Sequence, residues 1–206
     1  QDFIDMIYSF GSVGPKYWKG KKARCREELF LQKIIKKVRL GELVCHTSSP
    51  LYVVSSYQEE GKELSEDMAA IELINIIRPI VAISTFITFS CLAMYEYPTL
   101  KRELKLKNQD YYEYFVQEVR RFYPFAPFVG ARVKKDFIYR GYNFTQGTLV
   151  LLDIYGTNHD PKIWNNPYEF NPLRFKDRAR NLYSFIPQGG GEYLTGHRCP
   201  GEAITL

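Results

Sequence analysis

GHRCPGE, at residues 196–202, places one cysteine between a basic pair and a Pro-Gly turn, close to the last residue of the 206-residue sequence. A helix is expected to begin directly after it. The N-terminus of a helix carries a partial positive charge and unpaired N–H groups, which favour the thiolate form of a neighbouring cysteine. Such a thiolate binds metals, and it suits the role of the single axial ligand of a haem iron. Cys199 is therefore the first candidate site residue.

The cysteines are too scattered for a structural metal site. They stand at four distant positions and form no CxxC pair: Cys25, Cys45, Cys91 and Cys199. This spacing argues against a zinc site and against a disulfide framework. A reducing cytoplasm is therefore the expected location.

Composition indicates one substantial core, since 45% of the residues are hydrophobic and 16% are aromatic. The net charge of +5 comes mainly from residues 16–39. In that stretch four aliphatic residues recur with helical spacing: Leu31, Ile34, Ile35 and Val38. The pattern predicts an amphipathic helix with a basic, solvated outer face. Nucleic-acid binding is not expected, because no stacking aromatic residues accompany the basic ones.

A long apolar stretch at residues 66–97 predicts the dominant helix. Ser65 is a suitable N-cap, acidic residues follow it in the first turn, and Pro98 ends the stretch. The uncharged part, residues 79–94, is shorter than the roughly 20 residues that a membrane span needs. We therefore expect a helix buried in a large domain and no membrane span.

Arg78 and Pro79 are adjacent in the interior of this predicted helix. Proline removes a backbone hydrogen bond and usually kinks a helix. A guanidinium among isoleucine and valine side chains is costly unless an anion pairs with it. Two interpretations stay open: Arg78 pairs with a carboxylate of the chain such as Glu72, or it binds the carboxylate of a ligand beside the kink.

Shorter elements are predicted beyond Pro98. Helices are expected at residues 98–106 and about 110–123. Short strands at 133–137, 144–148 and 149–153 follow, with Gly141 and Gly147 at turns, and they include a hairpin. Residues 156–192 are rich in proline and end near three consecutive glycines. A loop of this length is uncommon unless it serves a site, and this one leads to Cys199.

Glu118 and Arg121 are three residues apart on the predicted helix at 110–123, so their side chains share a face. Such a pair alone is usually a weak surface feature. Here it lies in the apolar-rich segment FVQEVRRFYP, residues 115–124, and a further arginine, Arg174, lies in FNPLRF, residues 170–175. One glutamate that bridges both arginines would tie the loop to the helix.

In this order, the motifs resemble the C-terminal portion of a cytochrome P-450. Glu118-x-x-Arg121 resembles the K-helix pair of that family, residues 170–175 resemble its next motif, and Cys199 matches the haem-ligand position. MYEYP, residues 94–98, resembles the end of its I helix. The resemblance implies a mainly α fold with a small β region: a long I helix, a K helix, a β hairpin and a haem–thiolate loop. It further implies that residues 1–206 are a partial haem domain, lacking the N-terminal half and the C-terminal helix after the cysteine loop.

The same resemblance implies haem b as cofactor. Three residues are then candidate cofactor contacts: His197, Arg198 and Gly201. His197 and Arg198 would bind haem propionates, with Arg198 pointing to solvent as the alternative. Two features depart from the family pattern: Leu173 replaces the usual glutamate before the motif arginine, and the loop before the cysteine carries a longer insert. The structural tie is therefore expected to rest on Glu118, Arg121 and Arg174.

Arg78-Pro79 stands where ordinary members carry an acid–alcohol pair that delivers protons to dioxygen, and it resembles the bacterial fatty-acid peroxygenase branch. Residues 74–81, 155–160 and 196–202 are also similar to that branch. The resemblance implies catalytic roles for Arg78 and Pro79, with Arg78 anchoring a long-chain fatty acid. The carboxylate of that substrate would act as general acid–base on hydrogen peroxide, the co-substrate. The α or β carbon would be hydroxylated without a redox partner, in a bacterial cytoplasm.

Three alternatives stay open. The first is a monooxygenase of the same superfamily that depends on a reductase. The second is a haem-binding or sensor protein without catalysis. In the third, this chain is an incomplete segment that retains haem poorly.

Overall fold

The structure is a computed structural model that describes residues 1–177, 181–192 and 194–206. The chain forms two compact units, residues 1–84 and 85–206. Each unit has its own hydrophobic cluster.

The first unit is helical with one small hairpin. Its elements are α1 (Asp2–Tyr8), α2 (Pro15–Arg39), α3 (Pro50–Ser56), β1 (Gln58–Glu59), β2 (Lys62–Glu63) and the first part of α4 (Glu66–Glu96). The predicted basic amphipathic helix is confirmed as α2, which buries Leu31 and Ile35 and exposes its lysines. These two side chains pack against α3 and the start of α4 in the cluster Leu31, Ile35, Val54, Ala69, Ala70, Leu73 and Ile74.

Helix α4 begins and ends where the sequence indicates. The Ser65 hydroxyl accepts the Met68 N–H at 3.2 Å, which caps the first turn, and the helix ends at Glu96, two residues before Pro98. It continues without a break through Pro79, although proline has no N–H to donate to the Asn75 carbonyl.

The expectation of a helix buried in a large domain is not met by α4 in the part of the chain that the structure describes. Only 11% of its most apolar 18-residue window is buried, and Ile76, Ile80 and Ile87 are 39%, 55% and 58% exposed. Within the first unit, the α4 residues that belong to the buried cluster all lie near the start of the helix: Ala69, Ala70, Leu73 and Ile74. Helix α4 is also long enough and apolar enough to cross a membrane, but core helices of soluble proteins share this property. The absence of a membrane span stays a prediction.

The second unit combines the end of α4 with short helices and two-stranded sheets. Helices α5 (Thr99–Leu106) and α6 (Gln109–Phe122) match the predicted ones within one residue. The following elements are β3 (Phe128–Arg132), β4 (Phe137–Tyr139), β5 (Tyr142–Phe144), β6 (Leu149–Asp153), α7 (Ile154–Asn158), a 3-10 helix (Pro172–Phe175), β7 (Gly189–Gly190), β8 (His197–Arg198) and α8 (Glu202–Thr205). The fold class, mainly α with a small β region, is confirmed.

The strands differ from the prediction in their bounds. β6 is placed as expected, but it pairs antiparallel with β3, which the sequence pattern missed. The hairpin turn falls at Gly141 as predicted, but its strands are shorter than the predicted 133–137 and 144–148 and lie next to the turn, at residues 137–139 and 142–144. Arg140 and Gly141 both adopt positive φ, 50° and 81°, as a two-residue turn between right-handed strands requires. Phe137 and Phe144 stack across this hairpin with ring centroids 4.7 Å apart.

Aromatic packing joins the end of α4 to α6 and the loop after α7. The cluster consists of Ala93, Leu100, Phe115, Val119, Tyr123 and Phe170. Phe170, from the loop, stacks on Tyr97 at 5.1 Å and meets Phe122 edge-on at 5.5 Å. This contact brings the segment before Arg174 onto helix α6.

Candidate functional site

Glu118 and Arg121 form a fully buried pair on α6, with 0% and 1% exposure. The guanidinium donates to both carboxylate oxygens, from Nε to Oε2 and from Nη2 to Oε1, each at 2.8 Å. Arg121 also donates through Nη1 to the carbonyls of Asn158 and Pro167, at 2.9 and 2.8 Å. Helix α6 is thereby bonded to the loop that follows α7.

Arg174 completes this cluster from the 3-10 helix. Its Nε donates to Glu118 Oε1 at 3.0 Å, and its remaining nitrogens donate to backbone carbonyls, including Asn165 at 2.8 Å and Glu169 at 2.8 Å. The Asn171 N–H also donates to Glu118 Oε1, at 2.8 Å. The structure therefore brings Glu118, Arg121 and Arg174 together around one carboxylate.

Aromatic rings enclose the other side of this cluster. The Arg121 guanidinium lies 5.3 Å from the ring centroid of Trp164, which is 1% exposed. His159 is 3% exposed and lies between the rings of Tyr155 and Tyr168, at 4.1 and 5.6 Å. Burial lowers the pKa of His159, and its hydrogen bond to the Tyr155 carbonyl opposes that shift. No local pattern marks His159 as buried, because it follows a helix of only five residues.

Cys199 lies at the end of a compact two-stranded turn. β7 and β8 pair so that Gly189 faces Arg198 and Gly190 faces His197. The Cys199 N–H donates to the Gln188 carbonyl at 2.8 Å. Gly189 has φ of +92°, and a Cβ there would lie 1.9 Å from the His197 carbonyl oxygen, so the turn requires glycine. The thiol is half-buried, and the next helix, α8, begins three residues later.

A second buried charge cluster surrounds this turn, and sequence reasoning missed it. Arg120, 1% exposed, donates to Gln117 Oε1 at 2.6 Å, to Gln188 Oε1 at 2.9 Å and to Glu202. Arg198 donates to the other oxygen of Glu202. Burial raises the pKa of Glu202, but the hydrogen bonds from the two arginines outweigh it, so the pKa lies below its usual value. Only the i,i+4 spacing of Arg198 and Glu202 was visible in the sequence.

The other candidate site residues lie outside the Glu118 cluster and differ in their exposure. His197 is exposed, Arg198 is partly buried against Glu202, and Gly201 is buried. Arg78 and Pro79 belong to the first unit, where Arg78 is exposed on α4. Within the described residues Arg78 forms no ion pair with Glu72, so the interpretation as an internal pair is not supported.

The chemistry of these donors fits a haem. In the part of the chain that the structure describes, no group of three or more His, Cys, Asp or Glu side chains is placed to hold a metal ion. A metal at Cys199 must therefore bring most of its own ligands. A haem does so, because its ring supplies four nitrogens and the protein adds an axial ligand such as a cysteine thiolate.

Comparison with known families agrees with this chemistry. The family model described as "Cytochrome P450" matches residues 89–205, more than half of the chain and the whole segment from the end of α4 through α8. The chain belongs to the cytochrome P450 family. Membership implies a haem with a cysteine thiolate as ligand.

Solved structures extend the likeness to the whole chain. Cytochrome P450EX alpha with myristic acid is 44% identical, with a TM-score of 0.89 over 99% of this chain and 50% of that one. Cytochrome P450SP alpha with (R)-ibuprophen is 40% identical, with a TM-score of 0.90 and coverage of 99% and 50%. A variant of cytochrome P450 OleT in complex with arachidonic acid is 37% identical, with a TM-score of 0.88 and coverage of 99% and 49%.

Curated relatives match a shorter part of the chain. Dimethylnonatriene synthase from Arabidopsis thaliana is 36% identical over 109 residues, which are 50% of this chain and 20% of that protein. Strychnine-10-hydroxylase from Strychnos nux-vomica is 34% identical over 111 residues, with shares of 50% and 20%. The chain spans about half the length of the solved structures it matches. These matches establish family and fold, and the activity of the whole protein is a proposal.

Proposed function

We propose that the protein is a haem–thiolate peroxygenase, an oxidoreductase that uses hydrogen peroxide to hydroxylate long-chain fatty acids at the α or β carbon. Arg78, beside Pro79 and with no internal carboxylate partner among the described residues, carries this proposal. Support comes from similar structures that were solved with fatty acids: P450EX alpha with myristic acid and an OleT variant with arachidonic acid.

Cys199 is the proposed axial ligand of haem b. When bound, the haem supplies the iron at which the O–O bond of peroxide is cleaved, a reaction that electron donation from a thiolate favours. The chain holds the sulfur on a turn whose backbone is pinned by the hydrogen bond from Cys199 N–H to the Gln188 carbonyl. His197 and Arg198 are proposed to bind the haem propionates, and Gly201 is proposed to lie against the ring.

Arg78 is the proposed substrate anchor. A guanidinium binds a carboxylate through two parallel N–H···O bonds, which sets its orientation as well as its position. The anchored carboxylate would take the proton from one oxygen of hydrogen peroxide and give it to the other oxygen, which leaves as water when the O–O bond breaks, so it would act as a general acid–base. Pro79 contributes by leaving the Asn75 carbonyl without its helical donor, which makes the backbone beside Arg78 locally polar.

The remaining assignments are proposals of the same kind. Residues 1–206 would be part of a haem domain in a bacterial cytoplasmic protein that needs no redox partner and binds no nucleic acid. Glu118, Arg121 and Arg174 would serve structure alone, since their hydrogen bonds among the described residues pair Glu118 with Arg121 on helix α6, join that helix to the end of α7 and the loop after it, or close that loop.

A monooxygenase that needs a reductase is the second candidate. Two of the curated relatives are named as hydroxylases: strychnine-10-hydroxylase, and taurochenodeoxycholic 6 alpha-hydroxylase from Sus scrofa, which is 36% identical over 103 residues. The two functions differ in their source of electrons. Turnover with hydrogen peroxide alone supports the peroxygenase, and turnover only with NAD(P)H and a reductase supports the monooxygenase.

An Arg78→Ala variant tests the anchor. In the haem-loaded full-length protein, we expect peroxide-driven oxidation of myristic acid to fall by about 100-fold or more, because the general acid–base is no longer positioned. Hydroxylated products are measured by mass spectrometry, with Arg78→Lys as the variant that keeps the charge but not the paired donors.

Two controls separate anchoring from damage to the helix. Arg24→Ala, on the exposed face of α2, is expected to leave turnover unchanged. The methyl ester of myristic acid lacks the anion and should be a poor substrate for both the parent protein and Arg78→Ala. Undiminished turnover of myristic acid by Arg78→Ala would refute the anchoring mechanism while leaving the haem assignment intact.

A further inference from the structure

We propose that Glu202 is a positioning residue for Cys199: with Arg120 and Arg198 on its two carboxylate oxygens, it holds the cysteine turn against helix α6 in the orientation that the sulfur needs. The inference rests on the proposed haem site at Cys199. It assigns a role to a side chain that is not itself a ligand.

Arg120 contacts the chain on both sides of Cys199. Its Nε donates to the Gln188 side chain, eleven positions before the cysteine, and its Nη2 donates to Glu202, three positions after it. The Gln188 main-chain carbonyl accepts the Cys199 N–H at 2.8 Å, and the Glu202 N–H donates to the Cys199 carbonyl at 3.2 Å. Both peptide groups of Cys199 are thus bonded to residues that Arg120 holds.

The neighbouring arginine on the same helix serves a different segment. Among the described residues, Arg121 donates to Glu118 and to carbonyls of α7 and the loop after it, whereas Arg120 donates toward the cysteine turn and to Gln117. Successive residues on a helix point about 100° apart, so α6 holds two separate segments with adjacent side chains. The cysteine turn has its own attachment, independent of Glu118.

Because Arg120 and Glu202 are both buried, replacing either side chain is expected to disturb the attachment of the cysteine turn. Arg120 is 1% exposed and Glu202 is 6% exposed, so removal of the carboxylate leaves a buried guanidinium without its charge partner. Arg120 also lies over the Phe185 ring, 5.4 Å from its centroid, which leaves little room for it to leave the cluster. A shift of Arg120 therefore displaces Gln188 and the cysteine backbone with it.

A Glu202→Gln variant of the haem-loaded full-length protein tests the proposal. Two properties are measured: haem affinity, and the red-shifted Soret band that the ferrous carbon monoxide complex shows when a thiolate is the ligand. We expect haem affinity to fall about 10-fold, as for other residues that orient a metal ligand, with partial loss of the thiolate band. Glu202→Asp, which keeps the charge, should restore part of the band.

A paired variant distinguishes positioning from general stability. Arg120→Met combined with Glu202→Leu removes both the buried guanidinium and its carboxylate partner. The free energy of unfolding should therefore be higher than that of Glu202→Gln. The thiolate band should stay reduced, because the tie to the turn is gone. In the haem-free protein, the Cys199 amide should lose hydrogen-exchange protection in both variants.

The matched control is Glu28→Gln, which removes a partly exposed carboxylate from the i,i+4 pair of Arg24 and Glu28 on the surface of α2. It should change neither measurement. An undiminished band in Glu202→Gln, or its full recovery in the paired variant, would overturn the positioning role. Absence of the band in the parent protein would instead overturn the haem site, and this inference with it.

Discussion

A Cys199→Ser variant is expected to lose the thiolate Soret band and all peroxide-driven turnover. A serine hydroxyl stays protonated at neutral pH and donates far less electron density to iron than a thiolate does, so O–O cleavage is no longer favoured. The fold of the turn should survive, because its hydrogen bonds are made by the Cys199 backbone and not by the sulfur. Carbon monoxide difference spectroscopy of the reduced protein measures the loss directly.

Cys91→Ser is the matched control for this substitution. Cys91 is an exposed cysteine of the same unit, on helix α4, and should tolerate serine without change in haem content or spectrum. Circular dichroism of both haem-free variants should match that of the parent. A Cys199→Ser protein that kept the thiolate band would assign the ligand to another residue.

A Glu118→Gln variant is expected to lose about 3–5 kcal/mol of stability in the second unit. The amide has one acceptor oxygen, whereas the carboxylate accepts four hydrogen bonds, from Arg121 twice, from Arg174 and from the Asn171 N–H. It also leaves the fully buried Arg121 without its charge partner. Domains are commonly stable by about 5–15 kcal/mol, so this single change removes a large share.

Tryptophan fluorescence can follow this loss in the second unit alone. The chain has two tryptophans, so a Trp18→Phe background leaves Trp164, beside Arg121, as the reporter. Denaturant titrations of Glu118→Gln in this background give the free energy of unfolding. Glu28→Gln, at an exposed pair, should cost less than about 1 kcal/mol. A similarly small cost for Glu118→Gln would mean that the cluster contributes little to stability.

Helix positions could be predicted because their signals are local. α2 shows helical spacing of aliphatic residues, and α4 begins at a serine cap and ends before Pro98. The hairpin turn at Gly141 was predicted, but the strand bounds were not, because a two-residue turn needs positive φ at Arg140 as well, and a non-glycine residue gives no local sign of it. Local pattern also failed to show that α4 is largely exposed, since burial depends on what packs against it.

The two buried charge clusters differ in how far the sequence predicts them. Glu118 and Arg121 share a helical face at a spacing of three, which the sequence displays, and Arg174 was predicted as the second arginine bridged by Glu118. Arg120 reaches Gln188 and Glu202, 68 and 82 positions away, and no periodicity links such distant residues. The sequence shows the three charged side chains of this cluster, Arg120, Arg198 and Glu202, without any sign that Arg120 pairs with Glu202.

By itself, the sequence determined the helices, the single cysteine in its glycine-rich turn and the order of motifs that identifies a cytochrome P450. Each is encoded by neighbouring residues, whose spacing sets backbone geometry and helix faces. Tertiary structure alone decided which buried charges meet, because pairing requires two distant segments to exclude water from the same place. Arg121 thus supports the loop around Glu118, and Arg120, one residue earlier, holds the turn of Cys199.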